Sequence, residues 1–188
     1  LTNPYRSTAR LVFVSVLAVV LLLGTGIGTA AAQSAPTEQF NETFGGSNSD
    51  EAKSLVETSD GGFALTGFTE SFGSGSNDAW LIKTDKNGDE IFNKTFGGDK
   101  TDSAESVIQT PDSGYALAGV TDSFGSGAWL VKTDKNGNEE FNQTFGGTDF
   151  DKAISVVETS EGGFALGGFT QSFGSGLEDA WLIKTDAS

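Results

Sequence analysis

The stretch WLIKTDKNGDEIFNKTFGG at residues 80–98 recurs as WLVKTDKNGNEEFNQTFGG at residues 129–147, and its first six residues return as WLIKTD from Trp181. Self-similarity at a fixed period restricts a chain to folds in which one supersecondary unit stacks on copies of itself. Aligned on FNETF, FNKTF and FNQTF, the units begin at Phe40, Phe92 and Phe141, a period of about 50 residues. Each unit then continues through Gly-Gly and a polar loop to AKSLVETS, AESVIQTP or AISVVETS. A turn (DGG, DSG or EGG) leads to FALTGFT, YALAGVT or FALGGFT, and SFGSG leads to the Trp-Leu segment with its Lys-Thr-Asp.

The parts are short, rich in β-branched and aromatic residues, and bounded by Gly, Asn, Asp and Ser, which is the pattern of short strands; helical stripes are absent after residue 32. Asn87-Gly88 and Asn136-Gly137 predict two-residue hairpin turns that fold the Trp strand back on the Phe-Asn strand. Asp60-Gly61-Gly62 does the same between the Ser-Leu-Val-Glu-Thr and Phe-Ala-Leu strands. AWLIK and FALTGF alternate little, so both faces of each sheet need cover.

The expected fold is therefore all-β: three four-stranded antiparallel repeats stacked as β-propeller blades over residues 40–188, after a 33–39 linker. The chain opens with an outermost-type strand at residues 40–44 and ends on the Trp strand at residues 180–186, so one spare strand matches one missing strand. Three blades fall short of the usual four to eight. Three outcomes stay open: a homodimer of six blades in which each chain lends its first strand to the other's last blade, a fragment of a longer propeller, and a β-trefoil or β-prism, which takes three such repeats natively.

Residues 1–32 read as an export signal helix. Arg6 and Arg10 precede an apolar run at 11–23, too short for the roughly 20 residues of a bilayer span, and Ala30, Ala31 and Ala32 suit a signal peptidase. An uncleaved membrane anchor is the alternative, and the only route by which the chain would meet a membrane. Beyond Ala32 the chain carries nine Lys and no Arg against 26 acidic residues, spread through every loop. Such a surface repels nucleic acid and suits high salt, where carboxylates hold water and their repulsion is screened.

GGFALTGFT, DAWLIKTDKNGDE and FNKTFGG resemble a repeat of secreted archaeal and bacterial proteins similar to kelch and quinoprotein-type β-propellers, and the acidic composition resembles that of salt-loving archaea. The resemblance spans residues 40–188 and implies a propeller at the cell surface or in the medium, binding a protein or glycan or serving as a scaffold. A fold alone implies no activity.

The sequence has no His and no Cys, which excludes His-based acid–base catalysis, thiol nucleophiles, disulfides and the usual zinc ligand sets. The acids recur with the repeat, so no unique pair stands out, and the chain reads as non-catalytic and without a resident cofactor. The rival readings are a carbohydrate-binding module and a fragment of a larger glycoside-cleaving or quinone-dependent propeller enzyme. In DKNGDE, Asp85, Asn87 and Asp89 have calcium-like alternation, but the turn itself explains them. Asp50, Asp102 and Asp151 fall at equivalent places in the polar loops and are the weak candidates for an acidic ring holding calcium or sugar hydroxyls. Asn41, Asn93 and Asn142 lie in N-glycosylation sequons.

Overall fold

Eleven strands form in the order the repeats predict. The computed structural model describes residues 34–187; the signal reading for residues 1–32 lies outside the described residues. Residues 34–44 have no regular structure. The strands are β1 (Asp50–Glu57), β2 (Phe63–Thr69), β3 (Asp78–Thr84), β4 (Glu90–Phe96), β5 (Asp102–Gln109), β6 (Tyr115–Thr121), β7 (Gly127–Thr133), β8 (Glu139–Phe145), β9 (Asp151–Glu158), β10 (Phe164–Thr170) and β11 (Asp179–Lys184). They make three separate antiparallel meanders, β1-β2-β3-β4, β5-β6-β7-β8 and β9-β10-β11. Among the described residues the expected twelfth strand does not form: residues 40–44 pair with no other strand, and the third sheet has three strands.

Each sheet has a face of small residues and a face of large ones, because strand side chains alternate. In β2 and β3, Ala64, Ala79 and Leu81 point to one side while Phe63, Leu65, Trp80 and Ile82 occupy the alternate positions. The small face of the first sheet meets Val107, Tyr115, Leu117, Trp129 and Val131 of the second. The second sheet repeats this against the third, with Ala116, Ala118, Ala128 and Leu130 meeting Val156, Phe164 and Leu166. The middle sheet is covered on both sides, with every residue of β6 and β7 buried; in the first sheet β3 is buried throughout as well, Trp80 and Ile82 on its outer face included. The flanking faces leave Leu55 64%, Val157 54% and Leu182 75% exposed.

β1, β5 and β9 run beside one another, and charge ties them together. Glu105 accepts from Lys53 at 2.6 Å and from Lys152 at 2.9 Å. Lys53 and Glu105 sit at register shifts in β1 and β5. A bulge leaves one residue unpaired, which frees its side chain to reach the neighbouring sheet. Opposite each bulge stands a glycine with a fixed reason: a Cβ on Gly119 would lie 1.9 Å from the Ser103 carbonyl oxygen, and one on Gly168 would lie 1.9 Å from that of Lys152.

The hairpins are longer than Asn-Gly suggests. Asp85 N–H donates to the Asp89 carbonyl and Gly88 N–H to the Asp85 carbonyl, with Gly88 at φ +91°, so three residues form the loop. Thr58, Gly61 and Gly62 repeat that pattern. A type I turn followed by a left-handed residue uses the same Asn-Gly pair as a two-residue turn, so the dipeptide alone does not separate them.

Gly119→Ala should lower the unfolding free energy by about 2 kcal/mol or more, since the clash is with backbone. Gly167→Ala, where a Cβ meets nothing within 4 Å, should stay within about 0.5 kcal/mol of the parent. Urea denaturation of the two variants makes the comparison, and equal losses would contradict the packing described.

Candidate functional site

The loops that follow Gly-Gly and those that begin Ser-Phe-Gly meet at one end of each sheet, where a carboxylate binds them together. Asp102 heads β5 and is fully buried. Its Oδ1 accepts from Thr121 Oγ1 at 2.5 Å, and its Oδ2 accepts from Ser123 Oγ at 2.6 Å and from Gly98 N at 3.0 Å. The Ser123 hydroxyl oxygen accepts in turn from Lys100 N at 3.2 Å, which joins the second loop to the first. Asp50 takes Thr69, Ser71 and Gly46 in the same way, and Asp151 takes Thr170, Ser172 and Gly147.

The three acids proposed as a cation ring are thus each engaged inside their own sheet. A carboxylate that accepts three protein donors has little capacity left for an ion. Among the described residues no group of three or more His, Cys, Asp or Glu is placed to hold a metal. Asp85 and Asn87 are also spent locally: Asp85 Oδ1 accepts from Asn87 N at 2.7 Å and Asp89 N at 3.0 Å, and its Oδ2 accepts from Asn87 Nδ2. Asp89 gives only its backbone to this turn.

A second set of acids anchors the buried Lys of the Trp strands. Lys83 Nζ donates to Asp60 Oδ1 at 3.0 Å and to the Thr84 carbonyl at 2.6 Å. Lys132 reaches Asp112 and Glu140, both at 2.8 Å. Hydrogen bonds from Thr58, Gly62 and Lys83 hold the Asp60 carboxyl at about 2, and Lys132 with Thr110 does the same for Asp112. Burial pushes Asp50 upward, but the bonds from Thr69, Gly46 and Ser71 outweigh it and bring that group to about 2 as well.

The sequon asparagines Asn93 and Asn142 have structural partners. Trp80 Nε1 donates to Asn93 Oδ1 at 3.4 Å, Trp129 Nε1 donates to Asn142 Oδ1 at 3.2 Å, and the two amide nitrogens donate to Glu90 and Glu139. Among the described residues Asn41 donates to Glu38, at 3.4 Å. Sequence reasoning missed this pairing, although Trp and Asn stand 13 residues apart in both complete copies.

It also missed what projects from the braced loops. Phe72, Phe124 and Phe173 each lie 5.7 Å from the Trp of their own sheet, and are 42%, 48% and 51% exposed. Their shared SFGSG context was the available signal. The loop end of every sheet therefore offers a half-exposed aromatic ring on a rigid base, beside polar loops.

No family model matches the chain, and no curated protein matches it. Among solved structures, a protein of unknown function from Bacteroides caccae aligns at a TM-score of 0.44 and 10% identity, over 73% of this chain and 46% of that one. The chain spans about half the length of that structure. What defines this protein is an all-β architecture of repeated antiparallel sheets.

Asp102→Ala should cost about 3 kcal/mol, because the Thr121 and Ser123 hydroxyls and Gly98 N–H lose their acceptor; Asp99→Ala on the exposed loop should change stability by less than about 0.5 kcal/mol. A comparable effect of the two would contradict the brace.

The pH dependence has a definite sign. Folding lowers Asp50, Asp60 and Asp112 from 3.8 to about 2, so their stabilisation is complete above 3.8 and is lost as pH falls from there through about 2. Thermal unfolding in molar salt, where general charge repulsion is screened, should give a level midpoint above about pH 5 and a falling one between about pH 4 and 2. A level midpoint down to pH 2 would contradict it.

Proposed function

We propose that the chain is an exported, non-catalytic β-propeller-type protein that binds a protein or glycan at the cell surface, or serves there as a scaffold, through the loop end of its sheets. The blade assignment is supported by the separate antiparallel meanders, two of four strands and one of three, stacked small face to large face. A β-trefoil would instead join its repeats into one barrel. Export rests on the basic and apolar pattern of residues 1–32. The observation that carries the binding role is the threefold recurrence of Phe72, Phe124 and Phe173 as half-exposed rings over loops locked by Asp50, Asp102 and Asp151. Rigid loops presenting aromatic rings lose little conformational entropy on binding, and a repeated array suits a ligand that is itself repetitive.

A carbohydrate-binding module is the second reading, favoured by the same rings, since an exposed aromatic face stacks on the apolar face of a sugar.

The test compares the parent with the Phe72→Ala/Phe124→Ala/Phe173→Ala variant on a glycan array, in retention of envelope proteins, and against chromogenic glycosides. Binding by the parent that falls at least tenfold in the variant supports the loop-end role. A glycan signal selects the carbohydrate module and an envelope-protein signal selects the scaffold. Glycoside turnover, or binding indifferent to the three substitutions, would overturn the proposal.

A further inference from the structure

The two flanks of the stack are complementary, and the chain itself supplies the template for joining them. Phe92 of β4 packs on Tyr115 of the next sheet at 6.3 Å between ring centroids, and Phe141 of β8 packs on Phe164 at 6.5 Å. Phe92 also stands beside the turn glycine of that next sheet, 2.6 Å from where a Gly137 Cβ would be. Phe40 repeats this against the first sheet: its ring lies 6.0 Å from Phe63, and 2.8 Å from the Cβ position of Gly88. Residues 40–44 therefore sit on the first sheet where the outer strand of a preceding sheet belongs, and the described residues form no such sheet.

The other flank has the reciprocal gap. β11 is the unpaired edge of a three-stranded sheet, and a cleft of about 480 Å³ runs beside it between Phe141, Phe145 and the Lys184–Asp186 stretch. Trp181 has no Asn acceptor among the described residues, whereas Trp80 and Trp129 have theirs, and Asn41 has no Trp. Leu182 corresponds to Leu81 and Leu130, which are buried between sheets, yet it is 75% exposed. Phe40, Phe44, Leu55, Phe63 and Leu65 line an apolar cleft of about 230 Å³ on the first sheet, at the place where Leu81 and Leu130 insert in the two internal seams.

We infer that a second copy of this chain fills both gaps: its residues 40–44 become the fourth strand of the third sheet, and its first sheet covers the Val157 and Leu182 face. By the register of β3 on β4, where Leu81 faces Lys94 and Ile82 faces Asn93, Leu182 faces Glu42 of the second copy and Ile183 faces its Asn41. Trp181 Nε1 then donates to that Asn41, and Leu182 enters the cleft bounded by Leu55 and Leu65. Backbone spacing supplies a further bond. Val107 N and Val156 N donate to Ser54 Oγ and Ser106 Oγ of the preceding sheet, which places Leu55 N on Ser155 Oγ across the new seam. The contact is head to tail, and two copies joined at both seams close a ring of six sheets. The inference rests on the blade reading above.

The sequence has no Cys, so an engineered thiol pair reports one contact. Glu42→Cys and Leu182→Cys, made in separate full-length chains and mixed in molar salt, should give a two-chain species on a non-reducing gel after mild oxidation. Neither variant alone should do so. Light scattering of the parent should give twice the 19.5 kDa chain mass. Leu182→Glu should shift it to the single-chain mass with its circular dichroism retained, because the exposed position tolerates charge in an isolated chain and not in the seam. The pair Leu81→Cys/Lys94→Cys, at the same register inside one chain, is the control for the sheet order. If that control bridges and the mixed pair does not, or if the parent has the single-chain mass, the second copy is refuted and the blade reading stands. If the control fails to bridge, the blade reading fails first.

Discussion

A sheet that is apolar on both faces has to be covered on both, and this constraint organises the protein. At roughly 25 cal/mol per Å² of apolar surface removed from water, stacking small face on large face supplies the dominant favourable energy of the fold. The middle sheet satisfies the constraint completely, with β6 and β7 buried throughout. The outer sheets satisfy it in part: β3 is buried throughout, while Leu55 on the first sheet and Val157 and Leu182 on the third stay exposed. Direction follows from the asymmetry of the faces: Ala116 and Leu130 can meet Phe164 and Leu166, but two small faces would leave a void and two large ones would clash. A stack with a direction has two unlike flanks.

The polar network depends on that stacking and in turn fixes the loops. Asp50, Asp102 and Asp151 lie at the starts of β1, β5 and β9, where Thr and Ser from the end of the adjoining strand reach both carboxylate oxygens. Burying the carboxylates is tolerable because each has three donors, and the same donors keep Asp50 ionised well below the usual carboxylate range. The loops are consequently held by charge-assisted bonds rather than by apolar packing, which leaves Phe72, Phe124 and Phe173 free to face solvent over their Trp partners. Lys53, Glu105 and Lys152 perform a similar task where β1, β5 and β9 run together.

The strand order was legible in the sequence because four short apolar segments recur in one order, and hairpin connections leave antiparallel neighbours as the only short route. Turn length was not, since Asn87-Gly88 serves a three-residue loop as well as a two-residue one. The bracing bonds of Asp50, Asp102 and Asp151 were not legible because their hydroxyl partners stand 19 to 21 residues away, a distance at which only a fold brings hydroxyls to a carboxylate. The repetition of Asp, Thr and Ser at those spacings in all three units was the readable trace. Asn93 and Asn142, read in the sequence as sequon residues, also accept the indole N–H of Trp80 and Trp129, a contact that the motif does not signal. Residues 40–44 were expected to pair as a strand; they hold the position of one, against Phe63 and Gly88, and among the described residues they join no sheet.

Amide hydrogen exchange along the Trp strands tests the two-faced constraint most directly. β3 and β7 are paired on both edges, whereas among the described residues β11 pairs only with β10. If every sheet is covered in solution, Trp181, Leu182 and Ile183 should exchange as slowly as Trp129, Leu130 and Val131. Rapid exchange at alternate residues of β11, with β7 still protected, would mean that an apolar sheet stands open to water and would contradict the account.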